Sequence, residues 1–212
     1  MNRIELLKIA KPILFNTPMT QAILDNRKTT TRRVIKPQPS REGKLTASEI
    51  GIPRVVDNDQ GNMWTLSNPP YKIGDILYVR ETGMIQSMKN IGKKVKMLFK
   101  ADNSLVEFSV SDEEYERLSK WELIKRWLPP YWLTKETARI FLKVTDIRVE
   151  RLKEMTLTDL IKEGMWIKGE SIPANKFIDL WNSTINKQDL NSYGWEANPW
   201  VWVIEFERVE VE

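Results

Sequence analysis

The feature that most constrains the fold is a long β-forming stretch at residues 138–152. Ile140, Leu142 and Val144 recur at every second position, the period-two pattern of a strand. The apolar set then changes parity and continues at Ile147 and Val149, so a bend or bulge is expected between them. A second long stretch, 201–211, alternates Val201, Val203 and Glu205 with Trp202, Ile204 and Phe206. Long β segments interspersed with short helices predict an α+β fold, a small, mostly antiparallel β-barrel decorated with helices.

The remaining elements are shorter. Residues 1–10 read as an amphipathic helix or arm, and 11–15 as a buried strand. Asn16 and Thr17 offer an N-cap and Pro18 suits the first helical position. Met19, Ala22 and Ile23 carry that helix to about residue 26. Arg27 and Lys28 then lead into Thr29, Thr30 and Thr31, whose β-branching favours a strand running out of the helical turn. Residues 36–71 hold Pro37, Pro39, Pro53, Pro69 and Pro70 and a turn cluster at 57–61, which predicts an inserted lobe with one hairpin around 55–56 and 63–66. Strands are expected at 76–82 and 95–100, a helix from the Ser111 cap to 121, and a loop at 128–132. Thr156-x-x-Asp159 opens a helix that stops near Gly164, and Phe177, Leu180, Trp181 and Ile185 form another helical stripe. One domain over 1–212 is expected, with less regular lobes at about 36–71 and 102–131.

The chain has 212 residues and contains neither cysteine nor histidine. Thiolate chemistry, disulfides, cysteine-based zinc sites and every imidazole base are therefore excluded. Any catalysis must use Lys, Asp, Glu, Thr, Ser, Tyr or Arg. The 33 basic and 29 acidic residues leave a net charge of +4, which admits an anionic partner without demanding one. Nine tryptophans provide core and, for some, flat faces for bases. No apolar run reaches membrane-spanning length and no signal peptide opens the chain, so no membrane partner is expected. The absence of cysteine fits a cytoplasmic protein, and no metal or cofactor is expected.

Six segments in order resemble the ASCH family, in the long form found in phage and prophage genomes. They are Lys11-Pro12-Ile13-Leu14-Phe15-Asn16; 22–33, with Arg27-Lys28-Thr29-Thr30-Thr31-Arg32-Arg33; Gly74-Asp75 through Arg80-Glu81-Thr82; 138–145; Glu163-Gly164; and Asn198-Pro199-Trp200 through Phe206. The resemblance implies a PUA-like barrel, a fold whose members often bind RNA. Compact relatives are similar to amidohydrolases that deacetylate N4-acetylcytidine with a Lys-Thr-x-Thr motif and a later glutamate. The matching positions are Lys28, Thr31 and Glu163. The chain departs from the long form at Gly83, where an aromatic is usual, and at 131–134, where a histidine-containing stretch is usual.

The chemistry of these residues sets conditions. Thr31 attacks only if a base takes its proton, and Lys28 serves as that base only if burial or its neighbours Arg27, Arg32 and Arg33 lower its pKa. Each unit of lowering represents about 1.4 kcal/mol. In a straight strand Lys28 and Thr31 face opposite ways, so they converge only if Lys28 still belongs to the helical turn. Glu163, in the last turn of its helix, would orient Lys28 or shuttle a proton. The plainer alternatives are a solvated glutamate beside a capping glycine and a solvated basic edge strand. Arg27, Arg32, Arg33 and Glu81 are further ligand-binding candidates, Glu81 being equally suited to an internal ion pair. Trp132 and Trp200, with Trp127, are candidates for stacking, whereas Trp181 belongs to a core stripe. Three functions follow: binding of RNA or a modified nucleobase; hydrolysis of an N-acyl pyrimidine amide, expected ahead of RNA cleavage because histidine is absent; or a non-enzymatic phage accessory role using the Pro-rich lobe.

Overall fold

A computed structural model of the chain describes residues 2–38, 44–47, 53–56, 63–65, 68–166 and 174–211. The first elements are α1 (Arg3–Ile9), β1 (Lys11–Leu14), α2 (Thr17–Leu24) and β2 (Thr30–Val34). Then come β3 (Lys44–Ala47), β4 (Pro53–Val56), β5 (Met63–Thr65), β6 (Ile76–Arg80), β7 (Gly83–Lys89), β8 (Lys94–Phe99) and β9 (Leu105–Ser109). The rest are α3 (Asp112–Glu122), β10 (Phe141–Arg151), α4 (Leu157–Lys162), α5 (Ala174–Ser183), α6 (Leu190–Tyr193) and β11 (Trp200–Val209).

Local chemistry accounts for the helix boundaries. The Asn16 side chain accepts from the Met19 amide, and Pro18 occupies the first turn, where no intrahelical donor is lost. Ser111 caps α3 through the Glu114 amide, and Asp112, Glu113 and Glu114 lie at its positive end. Thr156 and Asp159 form a reciprocal capping box at the start of α4. Beyond α2, Asn26 takes a left-handed conformation (φ 56°), which releases the chain towards β2.

The chain divides into two compact units, each assembled from separated segments. The first comprises Met1–Asn26, Gly74–Lys143 and Glu207–Glu212. In it β1 runs parallel to β6, and the first residues of β10 pair antiparallel with β6, Phe141 opposite Tyr78. A separate antiparallel sheet joins β7, β8 and β9, with a register shift between Ile85 and Ser87. Ile85, Val95, Met97, Phe99, Phe108 and Leu118 form its core.

The second unit comprises Arg27–Ile73 and Val144–Phe206. Here β10 lies beside β11, which pairs antiparallel with β2 in a register setting Thr31 opposite Ile204 and Arg33 opposite Trp202. Val201 and Val203 pack with Leu152, Leu160, Phe177 and Trp181, and Val34 joins them. A small antiparallel sheet, β3-β4-β5, contains the expected hairpin, with Val55 opposite Trp64. The turn cluster expected at 57–61 lies outside the described residues.

The class is therefore mixed α+β with largely antiparallel sheets. Among the described residues no strand pairing closes a barrel. The strand expected from residue 138 begins at Phe141, the one expected to reach 82 ends at Arg80, and the loop at 128–132 contains a short helical turn, Pro130–Trp132. Among the described residues no helix is long and apolar enough to cross a membrane, and no group of three or more acidic side chains is placed to hold a metal ion.

Candidate functional site

The 27–33 segment sits wholly in the second unit, and its backbone decides what its side chains do. Lys28 forms an isolated antiparallel bridge with Glu163. The Thr29 amide donates to the Lys162 carbonyl (2.8 Å), and the Thr29 carbonyl accepts from the Phe206 amide (2.9 Å). Lys28 is thus in extended chain and not in the last turn of α2, so the condition for its convergence with Thr31 is not met. Strand alternation instead sorts the segment, with Lys28, Thr30 and Arg32 on one face and Thr31 and Arg33 on the other.

The even-numbered face is a buried ion cluster. The Lys28 side chain is 0% exposed and that of Glu163 4%. Lys28 Nζ lies 2.5 Å from Glu163 Oε2, 2.7 Å from the Thr30 carbonyl and 3.2 Å from the Glu163 carbonyl, enough acceptors for its three N–H groups. Arg32 Nη1 donates to Glu163 Oε1 (3.0 Å), and Nη2 lies 3.2 Å from both Glu150 and Asp159. Arg148 extends the network to Glu150 (2.5 Å) and Glu205 (2.6 Å). Glu163 is the C-cap of α4, where the helix dipole disfavours an acid, and Lys28 offsets this by donating to both its carboxylate and its carbonyl. Burial pulls the Lys28 ammonium below the usual lysine range; Glu163 opposes that, and Arg33 and Arg32 reinforce it. Burial would raise Asp159, yet hydrogen bonds from Thr156 and the charge of Arg32 hold it below the usual carboxylate range. Glu205 behaves likewise, with Arg148 and Lys162 outweighing its burial. Among the described residues the Thr30 hydroxyl and Arg32 Nε are buried without a hydrogen-bond partner.

The odd-numbered face is different. Arg33 Nη1 donates to Thr31 Oγ1 (2.8 Å) and to the Arg32 carbonyl (3.1 Å), which fixes the guanidinium against the strand. Beside it lies a cavity of about 330 Å³ lined by Arg33, Lys36, Asn68, Pro70, Tyr71 and Trp202. Trp202 is there because the β2–β11 register sets it opposite Arg33. Lys36 Nζ stands 4.4 Å from the Tyr193 ring centroid. Burial lowers the Arg33 pKa, with Tyr71 and Glu163 acting in the opposite sense. This face thus presents a fixed cation, two aromatic side chains and an amide to one space.

The other candidates have specific partners. Arg27 Nη1 donates to the Gly164 carbonyl (2.7 Å), tying the start of the segment to the end of α4. Trp200 is buried, with the Arg151 guanidinium 4.3 Å above its ring and its indole N–H unpaired among the described residues. Glu81 and Trp132 belong to the first unit. Glu81 accepts a bidentate pair from Arg139 (2.7 and 2.8 Å), an internal ion pair. Burial pushes the Glu81 carboxyl up, and Arg139 opposes it. Trp132 packs edge-on against Trp121 at 4.5 Å.

The structure thus brings Lys28, Arg32 and Glu163 together and sets Thr31 and Arg33 on the opposite face of β2. Sequence reasoning missed Glu150, Asp159 and Arg148 in the cluster and Asn68, Tyr71 and Trp202 in the cavity. The alternation of 201–206 marked Trp202 as facing away from Val201 and Val203, but only the strand register makes it a neighbour of Arg33. Comparisons with protein-family models, curated proteins and solved structures found no match.

Proposed function

We propose that the chain binds an unpaired nucleobase or nucleotide, free or within RNA, in the manner of a PUA-like ASCH domain of phage type. The cavity beside Arg33 carries this reading. Its volume lies at the small end of the range for small-ligand sites, roughly 300–1,000 Å³. Tyr71 offers aromatic surface for a base, stacking on which is worth about 1–3 kcal/mol, whereas Trp202 is 3% exposed and serves as wall. Arg33 and Lys36 supply positive charge for a phosphate, and the Asn68 amide offers both donor and acceptor to a base edge. The ordered segments that resemble the ASCH family support the same direction, and the closed barrel of that family is part of the proposal.

The test is a titration of the full chain with cytidine 5′-monophosphate and with oligouridylate at low ionic strength, followed by tryptophan fluorescence. Saturable binding is expected, with oligouridylate affinity falling steeply as salt rises. Absence of binding by both at low salt overturns the reading.

Hydrolysis of an N-acyl pyrimidine is a second reading, favoured by the contact of Lys28 with Glu163 and by the lowered Lys28 pKa. It requires the Thr31 hydroxyl to pass its proton to a base, whereas that hydroxyl accepts from Arg33 on the other face of β2. Release of cytidine from N4-acetylcytidine, abolished by Lys28→Ala, is the result that would reinstate it.

A further inference from the structure

The first unit carries a surface that neither the ion cluster nor the cavity uses. Trp127 is 36% exposed and Tyr131 is 61% exposed. They flank Leu128-Pro129-Pro130, a segment with little freedom. Leu128 is buried, and its amide and carbonyl both pair with Gly83 (2.7 and 3.2 Å). Arg80 donates to the Pro130 carbonyl (3.2 Å) and to that of Tyr131. The two proline rings fix their own φ angles. Two aromatic side chains are therefore presented from a pinned backbone, so little order has to be bought on binding.

The charge around them is predominantly positive. Lys120, Lys125, Arg126 and Lys135 stand against Glu122 between residues 120 and 135. Lys100 Nζ lies 5.7 Å from the Trp127 ring centroid, and the Arg126 guanidinium lies 4.9 Å from that of Trp121. Among the described residues neither Lys100 nor Arg126 has a carboxylate partner. Cations on aromatic rings, without counter-ions and beside exposed aromatic surface, suit a ligand that is both flat and anionic. The exposed Leu123 and Ile124 nearby would also suit a protein partner, but the unneutralised charge favours phosphate.

We propose that Trp127 and Tyr131, with Lys100 and Arg126, form a stacking platform for single-stranded nucleic acid. The inference rests on the preceding reading for the class of partner and on no residue of the Arg33 cavity. Bases stack on the two rings and phosphates are neutralised by the two cations, a contact tolerant of sequence.

The experiment is fluorescence anisotropy of a labelled oligouridylate of about ten nucleotides, within the usual site-size range for such surfaces. It uses the full chain, its Trp127→Ala/Tyr131→Ala variant and a Trp127→Phe/Tyr131→Phe variant, with cytidine 5′-monophosphate titrated in parallel. The alanine variant is expected to bind the oligonucleotide at least about tenfold more weakly, as expected from the loss of stacking by even one base. The phenylalanine variant should recover most of that loss, and mononucleotide binding should stay unchanged. Lys100→Ala/Arg126→Ala should flatten the salt dependence. Oligonucleotide affinity indifferent to both alanine substitutions, or absent in the unmodified chain, overturns the platform. Absence of mononucleotide binding in the unmodified chain, with oligonucleotide binding still dependent on Trp127 and Tyr131, overturns the cavity reading and leaves the platform standing. An alanine variant that alters self-association but not oligonucleotide binding assigns the surface to protein contact and also overturns it.

Discussion

The two faces of β2 make opposite use of the same kind of residue. Arg32 and Arg33 are adjacent and chemically identical. Arg32 is consumed by Glu163, Glu150 and Asp159 in a buried network, whereas Arg33 is fixed beside a cavity. Lys28 falls with Arg32 and Thr31 with Arg33. A basic–hydroxyl run that looks in sequence like one site is therefore split by strand alternation into a half within the ion cluster and a half whose Arg33 borders the cavity. The lesson is that the spacing of such a motif matters less than its parity.

The largest expected effect comes from breaking the half within the ion cluster. Glu163→Ala leaves Lys28 and Arg32 without their shared acceptor, and truncating one member of a buried charged network costs about 3–5 kcal/mol. Urea denaturation should show this loss. A change below about 1 kcal/mol would mean that the cluster is solvated in solution.

Arg33→Ala tests the half that borders the cavity. It should cost about 1 kcal/mol in stability and weaken cytidine 5′-monophosphate binding by about ten- to a hundredfold, the equivalent of one charge-assisted hydrogen bond of about 1.5–3 kcal/mol. A smaller effect is expected from Thr31→Val, which keeps the shape of the side chain and removes the acceptor for Arg33. It should cost about 1 kcal/mol or less in stability and weaken binding several-fold. If Thr31→Val instead abolished a hydrolytic turnover, Thr31 would be a nucleophile and the division of the faces would be wrong.

The pH dependence of stability sharpens the comparison most gently. Asp159 and Glu205 in the second unit are held below the ordinary carboxylate range. Their contribution is present above the unfolded values, about 3.9–4.3, and is lost as pH falls through the depressed folded values. Glu81 in the first unit is raised, so its contribution is fully present below its unfolded value and is lost as pH rises through the raised folded value. The stability difference between the unmodified chain and Glu81→Gln should therefore move in favour of the unmodified chain on acidification. The opposite slope would mean that Arg139 outweighs burial.

Much of the element order was legible because it rests on local rules. The caps at Asn16, Ser111 and Thr156 set helix starts where the sequence places them, and the alternation of Val95, Met97 and Phe99 marks β8. β7 and β9 escaped because their apolar residues do not alternate cleanly. Gly83, Gln86, Ser87 and Lys89 interrupt one, and the other has only five residues, Leu105–Ser109, with Glu107 at its centre. The pairing of Lys28 with Glu163 followed from family resemblance, but Glu150, Asp159 and Arg148 did not, because long-range ion pairs depend on register. Tyr71 lay at the end of a Pro-rich stretch with no periodic signal, so nothing local tied it to Arg33.

The central claim is that ligand is met by the Arg33 face and not by the Lys28 face. Its most direct test is a parallel titration of cytidine 5′-monophosphate into Arg33→Ala and Lys28→Met, both verified as folded by circular dichroism. Binding at least about tenfold weaker in Arg33→Ala, with Lys28→Met within about twofold of the unmodified chain, is the expected result. Full binding by Arg33→Ala together with loss in Lys28→Met would contradict the account.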